Sequence, residues 1–73
     1  MRVWLKNLRT QRGFTMKEMG EKLGVSESYY CAIECGTRQK KMDMLVASGL
    51  AAIFEIPIAQ IAVYEQASLQ GNA

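Results

Sequence analysis

The 73-residue chain has no histidine, one proline and two cysteines, Cys31 and Cys35. Without histidine it lacks the side chain most often used for general acid–base work near neutral pH. Two thiols fall short of the donor set of a structural zinc site, so no metal and no cofactor is expected. There is no GxSxG elbow, no phosphate-binding glycine loop and no pair of carboxylates placed for a cleft, so no enzyme is expected. No apolar run approaches the ~18 residues of a membrane span, and no secretory h-region or twin-arginine start precedes the cysteines. The expectation is a cytoplasmic protein with two reduced thiols, engaging neither a membrane nor a small-molecule substrate. Strand-like alternation with period two is also missing, which leaves an all-α fold. With one proline and no long Ser/Gly tract, disorder is disfavoured.

What is present suits a small helical domain. Hydrophobic residues make up 49% of the chain, enough for one core at a length near the lower limit for folding without disulfides or metal. Charge is divided unevenly. Residues 1–41 carry all nine basic groups (Arg2, Lys6, Arg9, Arg12, Lys17, Lys22, Arg38, Lys40, Lys41) against Glu18, Glu21, Glu27 and Glu34, a surplus of five. Residues 42–73 carry only Asp43, Glu55 and Glu65. The N-terminal part is therefore suited to a polyanion and the C-terminal part is not.

Five helices follow from periodicity and end signals. The segment from Met1 to Arg12 places Trp4, Leu5 and Leu8 on one stripe, and Gly13 ends it. Thr15-Met16-Lys17-Glu18 is a capping box opening a second helix with Met16, Met19, Gly20 and Leu23 on one face, stopped at Gly24. Ser26 is the N-cap of a third helix to about Glu34, with Tyr30 and Ile33 inward; Gly36 closes it. Thr37 to Lys41 is a basic loop. Asp43 caps a fourth helix to about Phe54, with Leu45, Gly49, Leu50 and Ile53 as inward candidates. Pro57 takes the first position of a fifth helix with Ile58, Ile61 and Ala62 inward. Residues 1–67 form one domain, and 68–73 are a small polar tail expected to fray.

The stretch Met16 to Cys35 satisfies the demands of a helix-turn-helix as a unit. Two helices crossing at a short turn need a small residue at the contact, here Gly20, and a residue tolerant of positive φ in the turn, here Gly24. Met19, Leu23, Val25, Tyr30 and Ile33 are the apolar positions that lock both helices to the core.

The run Gly13-Phe14-Thr15-x-x-Glu18-Met19-Gly20-x-x-Leu23-Gly24-Val25-Ser26, then Tyr30-x-x-Ile33-Glu34-x-Gly36-x-Arg38, resembles the Cro/repressor helix-turn-helix family (lambda repressor-like DNA-binding domains). The likeness covers roughly residues 3–65, including Phe54-Glu55-Ile56-Pro57-Ile58-x-x-Ile61. It implies a compact bundle of five short helices and sequence-specific binding of double-stranded DNA by a small transcriptional repressor. The recognition helix, about 26–34, would lie in the major groove.

Carried over residue by residue, the resemblance implies base reading by Glu27, Ser28 and Ala32, with Tyr29 and Cys31 beside them. Phosphate contacts fall to Thr15, Lys17, Ser26, Thr37, Arg38, Lys40 and Lys41. Ser26 is a cap first and a phosphate donor second. Tyr29 and Tyr30 cannot share one inward direction; Tyr30 goes to the core and Tyr29 to the DNA edge. Glu27 can accept from a cytosine amino group but repels phosphate, and Ala32 offers only a thymine-methyl contact. The surface lacks the Arg, Asn and Gln of strong bidentate reading, so the expectation is either modest base discrimination or recognition that leans on DNA shape. Arg9 and Glu34 correspond to a family ion pair between the first and third helices. The chain departs from the family at Met16, where glutamine is common, at Tyr30, where Ile or Val is usual, near Lys40, where a proline is usual, and in a basic loop about two residues longer.

Such domains act as dimers on half-sites about 34 Å apart. The C-terminal part, with Val63, Tyr64 and Leu69, is the expected homodimer surface, although the same residues could simply complete the core. The alternative function is an antitoxin-like or protein-interaction module on the same fold, with weak DNA binding.

Overall fold

The computed structural model describes the backbone of residues 1–71 and the side chains of residues 1–67. Within them lie five helices and no strand: α1 (Val3–Gln11), α2 (Met16–Leu23), α3 (Glu27–Cys35), α4 (Met44–Phe54) and α5 (Ile58–Gly71). Of the segment expected to fray, 68–73, the backbone of 68–71 lies in α5 and 72–73 fall outside the described residues, as does the side chain of the dimer candidate Leu69. Among the described residues no single helix is long and apolar enough to cross a membrane.

Local chemistry sets the helix starts. Thr15 Oγ1 accepts from the Glu18 amide at 3.1 Å and Glu18 Oε1 accepts from the Thr15 amide at 2.8 Å, closing the expected capping box. Ser26 Oγ accepts from the Tyr29 amide at 3.0 Å, and Asp43 Oδ1 from the Val46 amide at 2.8 Å. Between α2 and α3 the chain turns at Gly24, whose φ of 80° is available to glycine without a Cβ clash. Gly20 makes the crossing possible: a Cβ there would stand 2.9 Å from the Val25 carbonyl oxygen and 3.2 Å from the Glu27 nitrogen. The two helices therefore meet backbone to backbone.

Leu5, Met19, Tyr30, Ile33, Leu50, Ala51, Phe54 and Ile61 form the core, to which every helix contributes. Burying each large apolar side chain is worth about 1.5–3 kcal/mol. Phe14 reaches in from the α1–α2 turn to lie 6.4 Å from Phe54, ring to ring. Gly49 meets α2 closely, since a Cβ there would stand 2.7 Å from Leu23 Cδ1.

Three inward expectations fail. Leu45 is 86% exposed, Ile58 39% exposed, and Ala62 is exposed. The core face of α4 is instead Leu50, Ala51 and Phe54. Ser48 is the only polar residue in MLVASGLAAIF, so its composition does not mark an outer face and the phase of the helix is set by tertiary packing. Boundaries also move slightly: α1 begins at Val3 with Arg2 as its N-cap, and Pro57 precedes the first residue of α5. The Pro57 carbonyl accepts from the Gln60 amide at 2.9 Å, an ordinary one-residue shift of a helix end.

Candidate nucleic-acid interface

With α2 braced behind it, α3 turns its remaining face to solvent. Glu27 and Ser28 are exposed at its N-terminal end, while Tyr29, Cys31 and Ala32 are half-buried along it. Thr15, Lys17, Ser26, Thr37, Arg38, Lys40 and Lys41 are all exposed. Several of the hydroxyls already have structural duties. Thr15 and Ser26 are caps, and Thr37 Oγ1 donates to the Ala32 carbonyl at 3.3 Å. Both α2 and α3 begin in this region, and the first amides of a helix lack intrahelical acceptors and favour anions.

The basic surplus is smaller on the surface than in the sequence. Arg2, counted above among the groups suited to a polyanion, is only 5% exposed. Its Nε donates to Glu65 Oε1 and Oε2 at 2.9 and 3.0 Å. Its Nη1 donates to the carbonyls of Ile33 at 2.5 Å and Arg38 at 3.3 Å, and Nη2 donates to the carbonyl of Gln39. Trp4 Nε1 also donates to Glu65, at 3.1 Å. The guanidinium is spent inside the molecule because Glu65 and three carbonyls leave it no donors for solvent. Arg12 Nη2 donates to the Phe54 carbonyl at 2.6 Å, at the C-terminal end of α4 where a cation is favourable. The Lys22 ammonium lies 4.7 Å from the centre of the Phe14 ring. Lys17, Arg38, Lys40 and Lys41 remain as exposed charges around α3.

Arg9 and Glu34 meet in two-pronged fashion, Nε to Oε2 at 2.9 Å and Nη2 to Oε1 at 3.1 Å. The Glu34 side chain is fully buried and that of Arg9 is 12% exposed. The carboxylate holds the guanidinium in its charged form, by hydrogen bond first, against the opposing effect of burial. Tyr30 packs beside them; its hydroxyl is buried and has no hydrogen-bond partner among the described residues. Burial above all, and then the neighbouring Glu34 carboxylate, drives its pKa far upward. A tyrosine at this position thus fills the core with an unpaired polar atom.

Two residues that sequence reasoning missed organise the loop after α3. Gln39 has a φ of 56°; its Nε2 donates to the Tyr29 hydroxyl at 3.0 Å, and its Oε1 accepts from the Asp43 amide at 3.0 Å. Tyr29 is therefore tethered from the loop. Glu65, on α5, holds Arg2. The Gln39–Tyr29 and Glu65–Arg2 partners lie 10 and 63 positions apart, beyond the reach of a local signal, although Asp43 is only four positions from Gln39. Tyr64, an expected dimer residue, stacks on Trp4 with ring centroids 5.3 Å apart, and Val63 beside it is 58% exposed. Cys31 Sγ and Cys35 Sγ lie 3.9 Å apart. Both are free thiols, and that of Cys31 is pushed above its ordinary pKa, first by hydrogen bonding with Cys35 and then by that neighbour's charge.

Comparison with known proteins agrees with this geometry. A 39-residue stretch is 44% identical to the uncharacterized HTH-type transcriptional regulator YqaF of Bacillus subtilis (strain 168), covering 53% of this chain and 51% of that protein. The match thus spans about half the length of the curated relative. No solved structure matches the chain. Residues 5–61 match the helix-turn-helix family model, well over half of the sequence. With its all-α five-helix fold and its α2–α3 crossing at Gly20, the chain belongs to the Cro/C1-type helix-turn-helix family of DNA-binding transcription regulators.

Proposed function

We propose that this protein binds double-stranded DNA sequence-specifically as a small transcriptional repressor, with α3 in the major groove. The observation that carries the reading is the α2–α3 crossing, which leaves the N-terminal part of α3 exposed between the capped start of α2 and a basic loop. Glu27, Ser28 and Ala32 face the base edges, with Tyr29 and Cys31 beside them. Thr15, Lys17, Ser26, Thr37, Arg38, Lys40 and Lys41 face phosphates. The role is binding rather than catalysis, in a reducing cytoplasm that keeps both thiols free. The protein acts as a homodimer through its C-terminal part, where Val63 is exposed. Tyr64 contributes less to such a surface, being committed to Trp4.

A second reading draws on one observation: exposed Glu27 and Ser28 and half-buried Ala32 supply no bidentate base reader. On that reading the same face engages a partner protein, as an antitoxin-like module would, and DNA contact is secondary. Selection from a random duplex library separates the two. Enrichment of an inverted repeat, bound far more tightly than a scrambled duplex, supports the operator-binding dimer. No enrichment, with weak binding that vanishes as salt rises, leaves only phosphate attraction and favours the partner reading.

A further inference from the structure

The bonds around Arg2 run from the last helix to the proposed DNA-facing surface. Glu65 on α5 accepts two hydrogen bonds from Arg2; Arg2 donates to the carbonyls of Arg38 and Gln39; Gln39 donates to the Tyr29 hydroxyl on α3. The same arginine reaches the Ile33 carbonyl in the last turns of α3. Lys40, Lys41 and Glu65 also line one groove of about 350 Å³, with Met44 and Ile61 at its wall, so loop and α5 form a continuous surface. The loop needs such support. It has no regular structure of its own, and Gln39 sits at positive φ, a conformation that disfavours residues with a Cβ.

We propose that Glu65 is a positioning residue for DNA contact: through Arg2 and Gln39, α5 sets the geometry of the loop 37–41 and of Tyr29. The inference rests on the DNA-binding reading above. Arg2 itself never touches DNA. It supplies fixed donors to the backbone of a segment whose side chains, Arg38, Lys40 and Lys41, meet phosphate. Without the Glu65 carboxylate, the guanidinium is a buried cation with no counter-ion, and it is drawn toward water and away from the Arg38 and Gln39 carbonyls. Loop cations that are no longer held in register give up phosphate contact, while α3 stays where the core holds it.

The test uses the full chain with Glu65→Gln, with Arg2→Met as a second variant and Lys40→Ala as a reference for the loss of one phosphate contact. Two measurements are made on protein that circular dichroism shows to be folded. In the free protein, Glu65→Gln is expected to shift the amide resonances of Arg38, Gln39 and Tyr29 and to speed hydrogen exchange in the loop. In duplex titrations across salt, it is expected to lower affinity and reduce the slope of log K against log salt by about 1 for each loop cation released, at least the change that Lys40→Ala gives. A general loss of stability lowers affinity without changing that slope. Unmoved amides, or weaker binding with an unaltered slope, overturn the positioning role. A wild-type chain that binds no duplex, with the amides still moving in Glu65→Gln, overturns the DNA reading and leaves the coupling of α5 to the loop standing.

Discussion

Glu34→Gln removes the charge from an ion pair whose acid is fully buried, and its cost can be worked from the geometry. Glu34 accepts two charge-assisted hydrogen bonds from Arg9 at 2.9 and 3.1 Å, with the carboxylate at 0% and the arginine at 12% exposure. Removing one partner of a buried pair costs about 3–5 kcal/mol, because the other charge is stranded. Glutamine preserves shape and one acceptor, and Arg9 has an edge at the surface through which water can reach it. Both effects favour the lower end, about 3 kcal/mol. The whole stability of a 73-residue chain is about 4–11 kcal/mol at typical values per residue, so this one bridge is a large part of it. A loss of that size lowers the melting midpoint by roughly 12–24 °C for a domain of this size. Thermal unfolding followed by far-ultraviolet circular dichroism measures it. A midpoint within a few degrees of wild type would refute the reasoning and demote the pair to two surface charges.

Three further outcomes follow from the same structure. Tyr30→Phe removes a buried hydroxyl without a partner, whose desolvation costs about 1–3 kcal/mol; the variant should melt at or above the wild-type temperature, and a clearly lower midpoint would mean the hydroxyl is bonded to Glu34 or Arg9 after all. Gly20→Ala should destabilise by about 1–3 kcal/mol from overpacking against the α2–α3 backbone, partly offset by the roughly 1 kcal/mol that alanine gains over glycine inside a helix; a more stable variant would show that the crossing has slack. Glu18 has its pKa lowered, chiefly by the Thr15 amide and then by the Thr15 side chain. A depressed carboxylate contributes stability that is present above its unfolded pKa and lost as pH falls through the folded value. An NMR titration should therefore place Glu18 below the ordinary glutamate range in the wild type, and Thr15→Ala should return it only part of the way, because the Thr15 amide, the larger cause, survives the substitution.

The parts of the fold that were legible in the sequence were local. Thr15, Ser26 and Asp43 announced three helix starts because capping joins residues only three apart, and Gly24 announced the turn because its conformation belongs to glycine. The amphipathic stripes of α1, α2 and α3 gave Leu5, Met19, Tyr30 and Ile33 correctly as core. The phase of α4 was not legible, since a nearly all-apolar helix leaves the choice of inner face to its neighbours, and Leu45 was misplaced for that reason. Arg2, Gln39 and Glu65 were hidden for a different one. The Arg2–Glu65 and Gln39–Tyr29 pairs are brought together by folding, and Arg2 in particular looks in sequence like one more surface cation. The exposure of Ser28, Lys17, Arg38, Lys40 and Lys41 agrees with an interface, but the bonds that hold the loop in place lie beneath it.

The central claim, that α3 and the loop after it form the DNA-facing surface, is tested most directly by amide chemical-shift mapping of the isotope-labelled protein against a selected duplex. Perturbations are expected to concentrate at Thr15–Lys17, Ser26–Ala32 and Thr37–Lys41, weakening together as salt is raised. Perturbations centred instead on the exposed residues of α4 and α5, such as Leu45, Ile58 and Val63, would contradict it.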